Sequence, residues 1–101
     1  LRERADDNEE FLDVRVRSVV ALGRVCDRSA VDFLTVLARR AADPYGMEFS
    51  HQLGVAAIVA LGRIHPRDLG ELLKPVIEGK ATPREVRAAA QAALSETDVC
   101  K

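Results

Sequence analysis

The five residues Val20-Ala21-Leu22-Gly23-Arg24 return as Val59-Ala60-Leu61-Gly62-Arg63, an offset of 39 residues. The same offset pairs Val16 with Val55, Arg28 with Arg67 and Leu34 with Leu73. It pairs Val14 with Leu53, Val19 with Ile58, Val25 with Ile64 and Asp32 with Glu71 conservatively. A third copy begins at Val86-Arg87-Ala88-Ala89-Ala90 and reaches Ala93-Leu94, 33 residues after the second. Repetition at such a period constrains the fold more than any other feature. Each copy is one supersecondary unit that cannot bury its apolar face without neighbours.

Within each copy the apolar positions follow a helix. Val14, Ser18, Ala21, Leu22 and Val25 fall at i, i+4, i+7, i+8 and i+11; Leu53, Ala57, Ala60, Leu61 and Ile64 repeat that spacing, as do Val86, Ala90, Ala93 and Leu94. This lines one face of an α-helix. Strict alternation appears only briefly, at Val14 to Val16, so a sheet is not expected.

Punctuation gives five helices. A capping box at Asp7-Asn8-Glu9-Glu10 precedes the first, which runs to about Val25. The second starts at Ser29-Ala30-Val31-Asp32 and ends near Ala42, before the turn Asp43-Pro44-Tyr45-Gly46. The third spans about Met47 to Ile64. Pro66 opens the fourth in its first turn, Pro75 distorts its last turn and Gly79 closes it. The fifth starts with Thr82 as N-cap and Pro83 at the first helical position, Glu85 favouring the dipole, and runs to about Ser95. The resulting units are about 8–42, 47–79 and a half unit at 82–95, within one domain of 101 residues. Gly23 and Gly62 each follow the repeated Leu. A glycine inside a helix costs about 0.5–1 kcal/mol against alanine, so its recurrence implies a shared need: close approach of a neighbouring helix, or an early helix end.

Composition agrees with a packed helical core: 48% hydrophobic, 31% charged, 4% aromatic and no Trp leaves Leu, Val, Ile and Ala to fill it. A formal charge of −1 marks neither a general nucleic-acid binder nor a membrane binder. No apolar run approaches the roughly 20 residues that span a bilayer. Leu1-Arg2-Glu3-Arg4 has no signal-peptide character, and the missing initiator Met suggests a chain processed or cut from a longer one. Cys26 and Cys100 are far apart and outside metal spacing. They read as two reduced thiols of a cytoplasmic protein.

These residues resemble a known pattern. Val14-Arg15 through Leu22-Gly23, Leu53-Gly54 through Leu61-Gly62, and Val86-Arg87 through Leu94 are similar to the first helix of HEAT-like (armadillo-type) repeats, V-R-x-x-A-x-x-A-L-G. Gly54 replaces the usual Arg. The resemblance covers about residues 9–95. It implies an all-α, right-handed α-α superhelix, an α-solenoid of about two and a half helical hairpins. It also implies that Arg15 and Arg87 bond to acids or carbonyls between neighbouring repeats, and that a partner lies along one helical layer.

Four arginines recur at one edge: Arg24 and Arg63 at helix ends, Arg28 and Arg67 in the turns that follow. They could form a groove for an acidic peptide, a phosphate or a nucleic-acid backbone. Equally, arginine near a helix C-terminus favours the dipole, and Asp27, Asp32, Asp68 and Glu71 neutralise the ladder. Tyr45, Met47 and Phe49 lie in the insertion that lengthens the first period; they are a partner anchor if exposed together, or an extra helical turn with Phe49 over Leu53. His51 and His65 lack metal spacing, and no Gly-rich phosphate loop, Gly-x-Ser-x-Gly or His-Glu dyad occurs.

The sequence therefore leads to a non-catalytic scaffold segment without cofactor or metal, binding a partner protein on its concave layer. The alternatives are a nucleic-acid or phosphate binder using the arginine edge, and an accessory subunit like the HEAT-like chromophore lyases. Helix five offers Val86, Ala89, Ala90, Ala93 and Leu94 with no full helix after it, so weak self-association through an end is expected as well.

Overall fold

The computed structural model describes residues 12–43, 48–97 and 99–100. The capping box at Asp7 to Glu10 lies outside them, as do Tyr45 and Met47; nothing is described of the Phe49 side chain. The described residues form five α-helices and no strand: α1 Leu12–Arg24, α2 Val31–Arg40, α3 Glu48–Ile64, α4 Leu69–Glu78 and α5 Arg84–Leu94. A short 3-10 turn, Arg28–Ala30, leads into α2.

The repeated apolar positions make the core. Leu22, Leu34, Leu53, Ile58, Leu61, Ile64, Leu69 and Leu73 are fully buried, with Val19, Val76 and Val86. Helix α3 is central and packs against α1, α2 and α5. Helix α2 also meets α4, and α4 meets α5. Alanines fill the seams: Ala38, Ala41, Ala57, Ala60, Ala90 and Ala93 are all buried, and such small side chains let helix axes approach.

The recurring glycines mark the closest approaches. A Cβ placed on Gly23 would lie 2.7 Å from Ala60 Cα, and one placed on Gly62 would lie 3.1 Å from Ala93 Cα. Neither glycine has a positive φ, and both α1 and α3 continue past them. Of the two needs, the structure therefore supplies close approach. Gly23 and Gly62 occupy equivalent positions of the sequence repeat, and so do Ala60 and Ala93. The carboxyl-terminal ends of α1, α3 and α5 are thus brought together, and the three helices run parallel. Helix α2 runs opposite to α3, since a Cβ on Gly54 would clash with Ala41 at the far end of α2. Where the resemblance places an arginine, glycine lets this α2 end come in.

Several boundaries differ from the sequence expectation. Helix α4 begins at Leu69, three residues after Pro66, whose carbonyl accepts from Leu69 N–H at 3.1 Å. The left-handed backbone of His65 (φ 52°) breaks the helix, and Pro66 belongs to the reversal. Helix α5 starts one residue later than expected. The Pro83 carbonyl accepts the first intrahelical bond, from Arg87 N–H, so Pro83 is the N-cap and the Thr82 hydroxyl caps nothing. Pro75 sits on the exposed side of α4, and Gly79 closes that helix by donating to the Pro75 carbonyl at 3.1 Å. Val25, expected on the buried face, is 62% exposed, whereas its counterpart Ile64 is fully buried. Helix α1 has ended by Val25, and the chain there is already turning outwards. Helix α5 leaves less apolar surface open than its sequence suggests: Val86, Ala90 and Ala93 are buried, and Leu94 is 39% exposed.

Candidate functional site

The arginine edge is built by the way α1 and α3 end. At the end of α1, Cys26 takes a left-handed conformation (φ 57°) and its N–H donates to the Gly23 carbonyl at 3.2 Å. The following Asp27 N–H donates to the Leu22 carbonyl at 3.1 Å. This pair of bonds is a Schellman motif, and it satisfies two carbonyls that the helix leaves open. At the end of α3, His65 holds the same place and donates to the Leu61 carbonyl at 2.7 Å. The next residue is Pro66, which has no N–H, so only the single-bond left-handed cap can form. Two different caps thus give the same reversal, and both set an arginine in the last turn, where its charge favours the helix dipole.

Because α1 and α3 are parallel and touch near their ends, Arg24, Arg28, Arg63 and Arg67 all lie at this edge. Arg24, Arg28 and Arg67 are exposed; Arg63 is half-buried. Asp27 is engaged locally, accepting from the Ser29 N–H at 3.1 Å and from the Ser29 hydroxyl. Three of the four edge arginines are thus exposed, and so are the nearby acids Asp32, Asp68 and Glu71.

The two consensus arginines are elsewhere. Arg15 is buried, at 7% exposure. Arg87 Nη2 donates to the Gly79 carbonyl at 2.5 Å, tying α5 to the turn after α4. Both histidines serve their own neighbourhood: His51 donates to the Asp43 carbonyl at 3.0 Å and His65 Nδ1 to the Gly62 carbonyl at 3.3 Å. Among the described residues no group of three or more His, Cys, Asp or Glu could hold a metal ion.

The cysteines require a correction. Cys26 and Cys100 are not two separate thiols; they form a disulfide, with Cα atoms 5.9 Å apart and a sequence separation of 74. Their distance along the chain concealed their proximity. The residues after α5 run back along the edge, where Cys100 N–H donates to the Arg63 carbonyl at 2.6 Å and Cys100 Sγ lies 3.7 Å from the Gly23 carbonyl. Reaching Cys26 from the end of α5 requires α1, α3 and α5 to be parallel, and pairwise spacing of two cysteines carries no such information.

A second feature also escaped the sequence reading. A groove of about 560 Å³ opens on the amino-terminal half of the α1–α3–α5 layer, lined by Val16, His51, Gln52, Val55 and Glu85. Val16 and Val55 are repeat equivalents and are half-buried, and Val59 nearby on α3 is 50% exposed. Outward valines at matching positions in two copies were the available signal. The groove offers an apolar floor with an imidazole, an amide and a carboxylate at its rim, which suits binding of an apolar side chain.

No protein-family model matches the chain, and no curated protein or solved structure matches it. No helix among the described residues is long and apolar enough to cross a membrane.

Proposed function

We propose that this chain is a HEAT-like (armadillo-type) α-solenoid segment that holds a partner protein and performs no catalysis. One observation supports this reading most: the same glycine-on-alanine contact joins α1 to α3 at Gly23–Ala60 and α3 to α5 at Gly62–Ala93. Equivalent sequence positions meeting equivalent positions in the next copy is how stacked hairpins bury a continuous core. The first helices then form one layer, and α2 and α4 the other. The partner lies on the concave layer, and the groove over Val16 and Val55 offers it an anchor point.

The test is affinity capture of partners by the intact chain, identified by mass spectrometry, compared with Val55→Lys. Loss of one specific partner in the variant, with helical content intact, is the expected result. Capture unaffected by Val55→Lys and by substitutions on α2 and α4 would refute layer binding.

The exposed Arg24, Arg28 and Arg67 favour a second reading, in which the edge receives acidic groups. Cytosolic disulfides are rare and mostly transient or regulatory, so the bonded cysteines count against the cytoplasmic location expected from two reduced thiols.

A further inference from the structure

The outward positions of the α1–α3–α5 layer fall into rows. Along α1 they are Asp13, Val16, Val20 and Arg24, at i, i+3, i+7 and i+11. The repeat offsets carry them to Gln52, Val55, Val59 and Arg63 on α3, and to Glu85, Ala88, Ala92 and Glu96 in the third copy. Each of these residues is exposed or half-buried. Because the three helices run parallel with their carboxyl-terminal ends together, equivalent positions stand side by side. The face therefore carries an apolar band two rows deep, Val16–Val55–Ala88 and Val20–Val59–Ala92. Asp13, Gln52 and Glu85 bound it on one side; Arg24 and Arg63 bound it on the other, over α1 and α3. The groove opens at the acidic side, where Val16, Val55, Gln52 and Glu85 line it. Single exposed valines are ordinary, but valines set in register make a contiguous patch, and such patches mark contact surfaces.

We propose that this band receives an amphipathic helix of a partner protein, laid across α1, α3 and α5, with Arg or Lys on the flank over Asp13 and Glu85 and with Asp or Glu on the flank over Arg24. The proposal rests on the reading of this layer as the partner face and names the chemistry that fits it. The dimensions suit one helix. Asp13 and Arg24 are eleven residues apart, about 16 Å along α1, and a helix with its side chains is about 10–12 Å across. Two interhelix spacings of about 8–10 Å make the band roughly 16–20 Å long, which is three to four turns of the incoming helix. The band's chemistry also selects a helix. Valine and alanine side chains offer nothing to the N–H and C=O groups of an extended segment, whereas a helix satisfies its own. In the groove, a partner arginine can lay its stem on Val16 and Val55 and bring its guanidinium to the Glu85 carboxylate. The ion pair that Asp13 already makes with Arg17, at 3.7 Å, is exposed and weak enough to exchange. Over α5, alanine stands where α1 and α3 carry valine, and leaves room for a larger apolar side chain of the partner. Turning the incoming helix end for end exchanges its flanks, so the two charged sides also fix the direction in which it lies.

The probe is a displayed library of helical peptides of about 18 residues, roughly 27 Å long. A leucine stripe is fixed, and the two flanks vary among Arg, Gln and Glu. A matched library with a central Pro cannot form the helix. Both are selected against the intact chain, and a selected peptide is then titrated by fluorescence anisotropy. The expected result is Arg on one flank and Glu on the other, with at least tenfold weaker binding to Val59→Lys. Against Asp13→Arg/Glu85→Arg, selection should turn to Glu on both flanks, and the original peptide should bind at least tenfold more weakly. Asp13, Val59 and Glu85 are exposed, so these variants leave the core in place, and helical circular dichroism checks it. Enrichment with the flanks left at random overturns the charge pairing. Binders drawn from the proline library overturn the helix as occupant. Binding that survives both Val55→Lys and Val59→Lys lies elsewhere on the chain and overturns the proposal. If neither library yields a binder the proposal falls, and the layer reading is then decided separately, by whether Val55→Lys abolishes capture of the natural partner.

Discussion

Replacing glycine by alanine inside a helix ordinarily stabilises it by about 0.5–1 kcal/mol, because alanine loses less backbone entropy and shields the helix. The structure sets that gain against three different surroundings. At Gly23 the new Cβ would sit 2.7 Å from Ala60 Cα and 2.9 Å from Ala60 Cβ. At Gly62 it would sit 3.0 Å from Ala93 Cβ and 3.1 Å from Ala93 Cα. Carbon atoms prefer about 3.5–4 Å, so α1 and α3 must separate by roughly 1 Å, and α3 and α5 by somewhat less. The obstacle is backbone and not a flexible side-chain end, so it cannot swing aside. Overpacking of this kind costs about 1–3 kcal/mol. The net expectation is a loss of about 0.5–2 kcal/mol for Gly23→Ala, and a smaller loss for Gly62→Ala. Gly70 is the control: it is helical, exposed and has no atom within 4 Å of its missing Cβ. Gly70→Ala should therefore gain up to about 1 kcal/mol. For a chain of this size 1 kcal/mol moves the melting temperature by about 4–8 °C. Thermal melts followed by circular dichroism on the oxidised protein will resolve the ordering. If Gly23→Ala and Gly62→Ala are stabilised as much as Gly70→Ala, the helices do not touch at these positions and the repeat register is wrong.

Leu61→Ala, at a fully buried position in the last turn of α3, should lose about 2–5 kcal/mol in urea titrations; a loss below half a kcal/mol would contradict its place in the core. Chain-entropy arguments give about 4 kcal/mol as the upper stabilisation from a disulfide closing a loop of this length, so reduction should lower the urea midpoint clearly. An unchanged midpoint would mean the cysteines are not bonded in solution. Arg87→Met keeps the aliphatic stem but removes the donor to Gly79, and should cost about 1.5–3 kcal/mol. A neutral result would show that this bond is not made.

The five helices were legible because their apolar spacing repeats, and repetition suppresses the ambiguity of any single window. Helix starts were less legible. Pro66 and Pro83 are both chemically suited to a first helical turn, yet one lies in a reversal and the other is itself the cap. The deciding factors were the left-handed backbone at His65 and the first helical bond at the Pro83 carbonyl, and neither is local to the proline. The arginine edge was legible from the repeat offset alone. The tail that crosses it was not, because Ser95 to Cys100 has no counterpart in another copy. Its path depends on three helices lying parallel. The groove over Val16 and Val55 belongs to the same class: outward positions of a helix acquire meaning only once the neighbouring helix is known.

The bond between Cys26 and Cys100 also governs how the chain bears load. Tension applied through the two termini enters at α1 and, on reaching Cys26, crosses directly to Cys100. Everything between them is mechanically shielded while the sulfurs stay joined. At about 3.5 Å per residue, the 74-residue separation conceals roughly 260 Å of extensible contour. Oxidised, the chain keeps that contour locked between the two sulfurs; reduced, it can pay it out. Its compliance as an element in a longer assembly is thereby set by one covalent bond, and not by the strength of its helical packing.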